Sequence, residues 1–142
     1  LTKKSHTNLP FALKPLYGYL LSVPHKDKVA AERVVAHCAE GTWDAEDNEV
    51  DESLLGDGWK EGLPEPGSVK DILVIRPALL VDGECKADKL KDGKGKGKEP
   101  YRVKEWDIGG WTVSRKDVAH FIVEDALQNW EKWSGKWVSI AY

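Results

Sequence analysis

The chain has 142 residues, the size of one domain, and its 41% hydrophobic and 32% charged residues are an ordinary balance for a globular protein. A net charge of -3 with interspersed signs lacks the broad basic footprint that nucleic acid or an anionic membrane would require, although local patches stay open. No apolar run approaches the roughly 18 residues that span a bilayer, and no charged-then-apolar leader follows Leu1, so a soluble, cytoplasmic protein is expected.

The sequence contains no methionine and begins with Leu1. A removed initiator, a processed precursor, a trimmed chain and a piece cut from a larger protein are all compatible with that. Cys38 falls on an expected helix face and Cys85 in a polar loop, with no C-x-x-C or His spacing beside either. Reduced thiols and no metal site are expected.

In chain order, residues 9–21 are apolar but carry Pro10 and Pro15, which leaves room for a short helix only after Pro15. Residues 27–39 set Ala31, Val34, Val35 and Cys38 at i, i+3, i+4 and i+7, which predicts a helix with one buried stripe. Residues 40–70 alternate acids with Gly and Pro and predict a surface insertion, parts of which Trp43, Leu54, Leu55 and Trp59 should fold back onto the body. The apolar run from Ile72 to Ile75, closed by Arg76 and Pro77, predicts a central strand buried on both faces.

Residues 86–100 alternate Lys and Gly and predict a mobile loop, since the run lacks phosphate-loop spacing and a following helix. Residues 101–106 alternate as a half-exposed strand, and 111–113 form another short one. Ser114 with Asp117 three residues on is an acidic variant of the capping box. It opens a helix through Ala119, Ile122, Val123, Ala126, Leu127 and Trp130. Residues 136–141 close the chain as a strand. Helices interleaved with buried strands give an α/β fold.

For chemistry, His25-Lys26-Asp27-Lys28 at a helix start is the densest polar cluster beside an apolar face, although the residues alone favour a solvated first turn over a ligand site. Arg76 and Pro77 close a strand expected to be central, and in open α/β sheets ligands lie beyond the carboxyl ends of such strands. The alternative for Arg76 is an ion pair with an acid such as Asp117. Arg115 and Asp117 are explained by capping and the helix dipole. The histidines make no H-x-x-x-H pattern and the serines no G-x-S-x-G elbow. Trp130, Trp133 and Trp137 fit core packing better than a stacking platform.

Three segments in fixed order carry a resemblance: residues 15–28 running into Ala31 and Glu32, residues 72–80, and residues 113–122. Together they resemble the later half of fungal atypical short-chain dehydrogenases, NAD(P)-binding proteins related to the NmrA-like and biliverdin-reductase-like groups. The resemblance covers nearly the whole chain apart from the acidic insertion and the Lys/Gly loop. It implies the C-terminal part of a Rossmann-like doubly wound parallel sheet lacking the first strands, a single partial domain over residues 1–142.

By the same resemblance, Lys28 is the lysine that bonds the nicotinamide ribose of NAD or NADP, and Arg76, Pro77, Ala78 and Leu79 border the nicotinamide. The family tyrosine belongs four residues before the lysine, where this sequence has Pro24, so His25 or Tyr19 would donate the proton. No G-x-x-G-x-x-G follows a strand here. The resemblance therefore implies a parent NAD(P)-dependent oxidoreductase acting on a small molecule, of which this chain is the substrate and nicotinamide side, inactive by itself. The expected partner is the missing N-terminal half, or a second copy through an exposed sheet edge. The other reading is a non-catalytic NAD(P)-sensing regulatory or interaction protein of the NmrA-like type.

Overall fold

The computed structural model describes residues 11, 15, 22–39, 41, 52–91, 99–106 and 108–142. The chain divides into two compact units, Leu1–Ile72 and Leu73–Tyr142.

In the first unit the helix predicted at 27–39 starts earlier and runs over Ser22–Cys38 (α1). Pro24 sits in its first turn, where a missing N–H breaks no intrahelical bond. At the other end Gly41 N–H donates to Ala36 O at 2.8 Å, and Val69 N–H reaches Cys38 O at 3.1 Å, so carbonyls left over by the last turn are met. The buried face differs from the predicted stripe. Val29, Ala30, Ala36 and Cys38 are inside, whereas Ala31 is exposed and Val35 is 37% exposed. Small size decides it: Ala36 lets the Gly41 turn close against the helix, with the would-be Cβ of Gly41 only 3.6 Å from Ala36 Cα.

Part of the acidic stretch is ordered. Glu52–Leu55 is a short helix, α2. Trp59 lies edge-on to His37, with ring centroids 5.3 Å apart, and Arg33 Cζ and Lys60 Nζ stand 5.9 and 5.4 Å from its ring centre. The fold-back expected of Trp59 is thus present, while Trp43 and residues 42–51 lie outside the described residues.

In the second unit β1 (Leu73–Pro77) pairs in parallel with β5 (Lys136–Ala141), and β5 pairs antiparallel with β3 (Arg102–Glu105), in the order β1-β5-β3. A two-stranded parallel sheet joins β2 (Leu79–Val81) to β4 (Thr112–Ser114). The architecture is mixed α/β. The central strand of the larger sheet is β5, buried from Trp137 to Ala141, and not the 72–75 run, which is half-buried and has a strand partner on one side among the described residues. Pro77 fits that edge role. Ala78 N–H donates to Ile140 O at 3.0 Å, so by alternation the backbone of residue 77 points away from β5, where a proline removes no ladder bond.

One face of the β1-β5-β3 sheet builds the core. Leu73, Ile75, Val103, Val138 and Ile140 pack with Phe121, Ala126 and Trp133, and each large side chain so buried stabilises the fold by about 1.5–3 kcal/mol. Phe121 meets Trp133 edge to face at 5.1 Å. Trp133, 7% exposed, packs in this core as expected; Trp137 is equally buried but on the opposite face of the sheet, and Trp130 is 38% exposed.

The helix predicted from Ser114 forms but is not continuous. Arg115–Phe121 is α-helical (α4, numbered after Lys86–Lys91, α3), Ile122–Ala126 is a π-turn, and Trp130–Trp133 is a further short helix, α5. Leu127 N–H donates to Ile122 O at 2.9 Å, the i→i+5 bond of a π-turn, which turns the helix face back by one residue. Phe121 and Ala126 are consequently both buried, while Val123 and Leu127, which follow Ser114 at helical spacing, are 51% and 60% exposed. Residues 86–91, expected to open the mobile loop, are helical, and residues 92–98 lie outside the described residues. No helix among the described residues is long and apolar enough to cross a membrane.

Candidate functional site

Lys28 and His25 stand on the exposed side of α1, three residues apart and so on one face, with Lys28 exposed and His25 half-buried. Glu32 follows Lys28 by one turn. Tyr19 lies outside the described residues. These positions belong to the first unit, whereas Arg76, Pro77, Ala78 and Leu79 belong to the second.

Arg76 lies inside β1 and Pro77 is its last residue, so the two close that strand. Ala78 carries the chain across to β2, whose first residue is Leu79, so the four residues bridge two sheets. The Arg76 guanidinium stands 5.2 Å from the ring centre of Trp137 and 5.9 Å from that of Trp106. Asp117 does not pair with it, because that carboxylate is engaged elsewhere.

Asp117 is fully buried and collects donors. The Tyr142 hydroxyl donates to Oδ2 at 2.5 Å and the Ser114 hydroxyl to the same oxygen at 2.8 Å. Ala87 N–H donates to Oδ1 at 3.1 Å and Cys85 Sγ to Oδ1 at 3.4 Å. In return Ser114 Oγ accepts from Asp117 N–H at 3.0 Å and Tyr142 Oη accepts from Ser114 N–H at 3.1 Å. Burial alone would raise the Asp117 carboxyl, but the bonds from Tyr142, Ala87 and Ser114 outweigh it and hold the group below the usual carboxylate range. Burial and the bond to Asp117 push the Tyr142 phenol up, and burial likewise raises the Cys85 thiol. With its lone pairs occupied, this carboxylate anchors β4, α3, α4 and Tyr142 and is not poised to move a proton. Cys85, expected in an open polar loop, is buried in that anchor and both cysteines are free thiols.

A second pair was not legible beforehand: the Tyr101 hydroxyl and His120 Nδ1 are 2.8 Å apart. Burial pushes the Tyr101 phenol up to about 12, so it stays protonated at neutral pH. Tyr101 also packs edge-on to Phe121, which ties the pair to the core.

Beyond the carboxyl ends of the parallel strands β2 and β4 lies an open depression of ≈ 360 Å³ lined by Val81, Asp82, Gly83, Glu84, Arg115 and Lys116. It belongs to the two-stranded sheet and not to the sheet of β1, whose carboxyl end is where the sequence pointed. Its rim is charged, with Arg115 Nη1 donating to Asp82 Oδ1 at 2.7 Å and Lys89 paired with Glu84. Among the described residues no group of three or more His, Cys, Asp or Glu side chains could hold a metal ion.

Over 137 residues, 95% of its length, the chain is 31% identical to a protein named Reductase pytE of Aspergillus terreus, and it covers 42% of that protein. Over 134 residues, 92% of its length, it is 27% identical to one named Oxidase pynE of Aspergillus niger, covering 36% of it. No family model matches the chain and no solved structure matches it. The chain spans less than half the length of these curated relatives, and nearly end to end it is similar to fungal proteins named for oxidation and reduction.

Proposed function

We propose that the chain forms the substrate and nicotinamide side of an NAD(P)-dependent oxidoreductase whose Rossmann-like sheet is completed by a further part of the parent protein. The observation that carries this reading is the likeness of 95% of the chain to a fungal reductase more than twice as long. The fold is compatible with it, since the described residues form a mixed α/β structure that includes the parallel pairs β1-β5 and β2-β4. The described residues hold no Gly-rich turn for a pyrophosphate. In this reading the ribose end falls to Lys28, which is exposed and has His25 on the same helix face.

In this reading the bound nicotinamide supplies a hydride to a small-molecule carbonyl. Lys28 holds the ribose and, by its charge, eases loss of a proton from its neighbour, and His25 or Tyr19 protonates the carbonyl oxygen. The partner is the other part of the parent, or a second copy through the outer edge of β1.

The test compares the parent-length protein with this chain. The longer protein should bind NAD or NADP, the chain alone should not, and Lys28→Ala should lower turnover by about a hundredfold. Unchanged turnover overturns the role of Lys28. Pro24, standing where a tyrosine would act, favours a second reading, a dinucleotide sensor without catalysis. That reading requires tight dinucleotide binding by the parent with no turnover of any carbonyl substrate.

A further inference from the structure

Trp106 has a backbone φ of 61°, a strained conformation that bulky L-residues rarely adopt. Two contacts hold it there. Its N–H donates to Trp137 O at 2.9 Å, and its indole lies parallel to that of Trp137, 7° between planes and 6.5 Å between centroids. The strain turns a large aromatic ring outward, since Trp106 is 47% exposed while Trp137 beneath it is 7% exposed. A protein that merely needed to bury an indole would not hold it this way.

Strand alternation places two basic residues on the sheet face that carries this ring. Val103 packs into the core, so Arg102 and Lys104 point to the opposite face of the sheet. Lys104 and Arg76 both register with Ser139, the residue two beyond Trp137, and therefore share the face that carries the two indoles. Arg102 is committed to the carbonyls of Gly109 and Tyr142, at 2.5 and 2.6 Å. Lys104 is exposed. Among the described residues, the acid next to Trp106 in sequence, Glu105, belongs to the core-side face and is bridged by Lys136 at 2.7 Å.

We infer that Trp106, backed by Trp137 and flanked by Lys104 and Arg76, is a binding platform for a planar aromatic anion, with the ring stacked on the exposed indole face and its carboxylate or equivalent group toward Lys104. Stacking on an exposed aromatic is tolerant of ring identity, and the cation selects for charge. The platform lies within the second unit and does not depend on the parent's transferring hydride.

The test titrates the chain with 2-naphthoate and with uncharged 2-naphthamide, following heat and indole N–H resonances. Saturable binding of naphthoate, tighter than naphthamide, is expected. Trp106→Gly, which suits the positive φ and removes the ring, should weaken naphthoate about tenfold. Trp106→Phe should stay within about threefold of the original. Lys104→Gln should weaken naphthoate and leave naphthamide unchanged. Circular dichroism melts confirm that each variant is folded. Absence of saturable binding by the original chain, or equal naphthoate affinity in folded Trp106→Gly, overturns the platform. Equal affinity for the two probes overturns its anion preference.

Discussion

Two helices of this molecule open with charged residues, and they use them in opposite ways. On α1, His25 and Lys28 face outward along a helix held by small buried residues. On α4, Asp117 turns inward and is bonded by Tyr142, Ser114, Ala87 and Cys85. A charged group at a helix start can therefore be an anchor or a tool. The number of donors already spent on it tells which: a saturated carboxylate has nothing left for a ligand, whereas an exposed ammonium does.

The contrast is broken most directly at Asp117. Asp117→Ala leaves the Tyr142 and Ser114 hydroxyls and the Ala87 N–H without their acceptor, at about 1–3 kcal/mol for each buried group. Urea unfolding should register a loss of about 3 kcal/mol or more. A loss below about 0.5 kcal/mol would mean the network is incidental.

Gly110 comes next. A Cβ there would collide with the Ala141 side chain and come within 3.2 Å of Tyr142 O. Gly110→Ala should cost about 1–3 kcal/mol by the same measurement, because the central strand cannot shift without disturbing the core.

The pH response sharpens the comparison further. Asp117 is held below its ordinary range when folded, so its contribution is present above about pH 4 and lost as pH falls through the lower folded value. Tyr101 is displaced the other way, to about 12. Its contribution is full below the ordinary phenol value of about 10 and is lost as pH rises toward the folded value. Thermal melts against pH should decline at both ends, and Tyr101→Phe should reduce the alkaline decline, to which Tyr142 and Cys85 also contribute, while leaving the acid limb unchanged. The smallest effect is expected on α1, where Lys28→Ala should change stability by less than about 0.5 kcal/mol. A larger loss would make Lys28 an anchor too.

Local chemistry was legible in the sequence and distant chemistry was not. Ser114 and Asp117, three residues apart, announced a cap, and the bonds between them are there. Tyr142 was silent because its partner Asp117 lies 25 residues away. Helix α1 was visible in its apolar spacing, yet the face was misassigned because Val34 and Val35 weigh more on a hydropathy scale than Ala30 and Ala36, which pack closer. The 72–75 run looked central because it is continuously apolar, although Pro77 at its end already marked an edge. Of the candidate site, the position of Lys28 on a helix was foreseen. The outward pose of Trp106 was not, since nothing in residues 101–106 signals a left-handed backbone.

The π-turn at Ile122–Ala126 has a consequence for length variation. Because it accommodates one extra residue within the helix, removing a single residue from that turn should convert it to ordinary α-helix and leave Phe121 on one side and Trp133 on the other still able to reach the core. Related chains should therefore tolerate a one-residue gap between positions 122 and 127 more readily than anywhere else in the second unit.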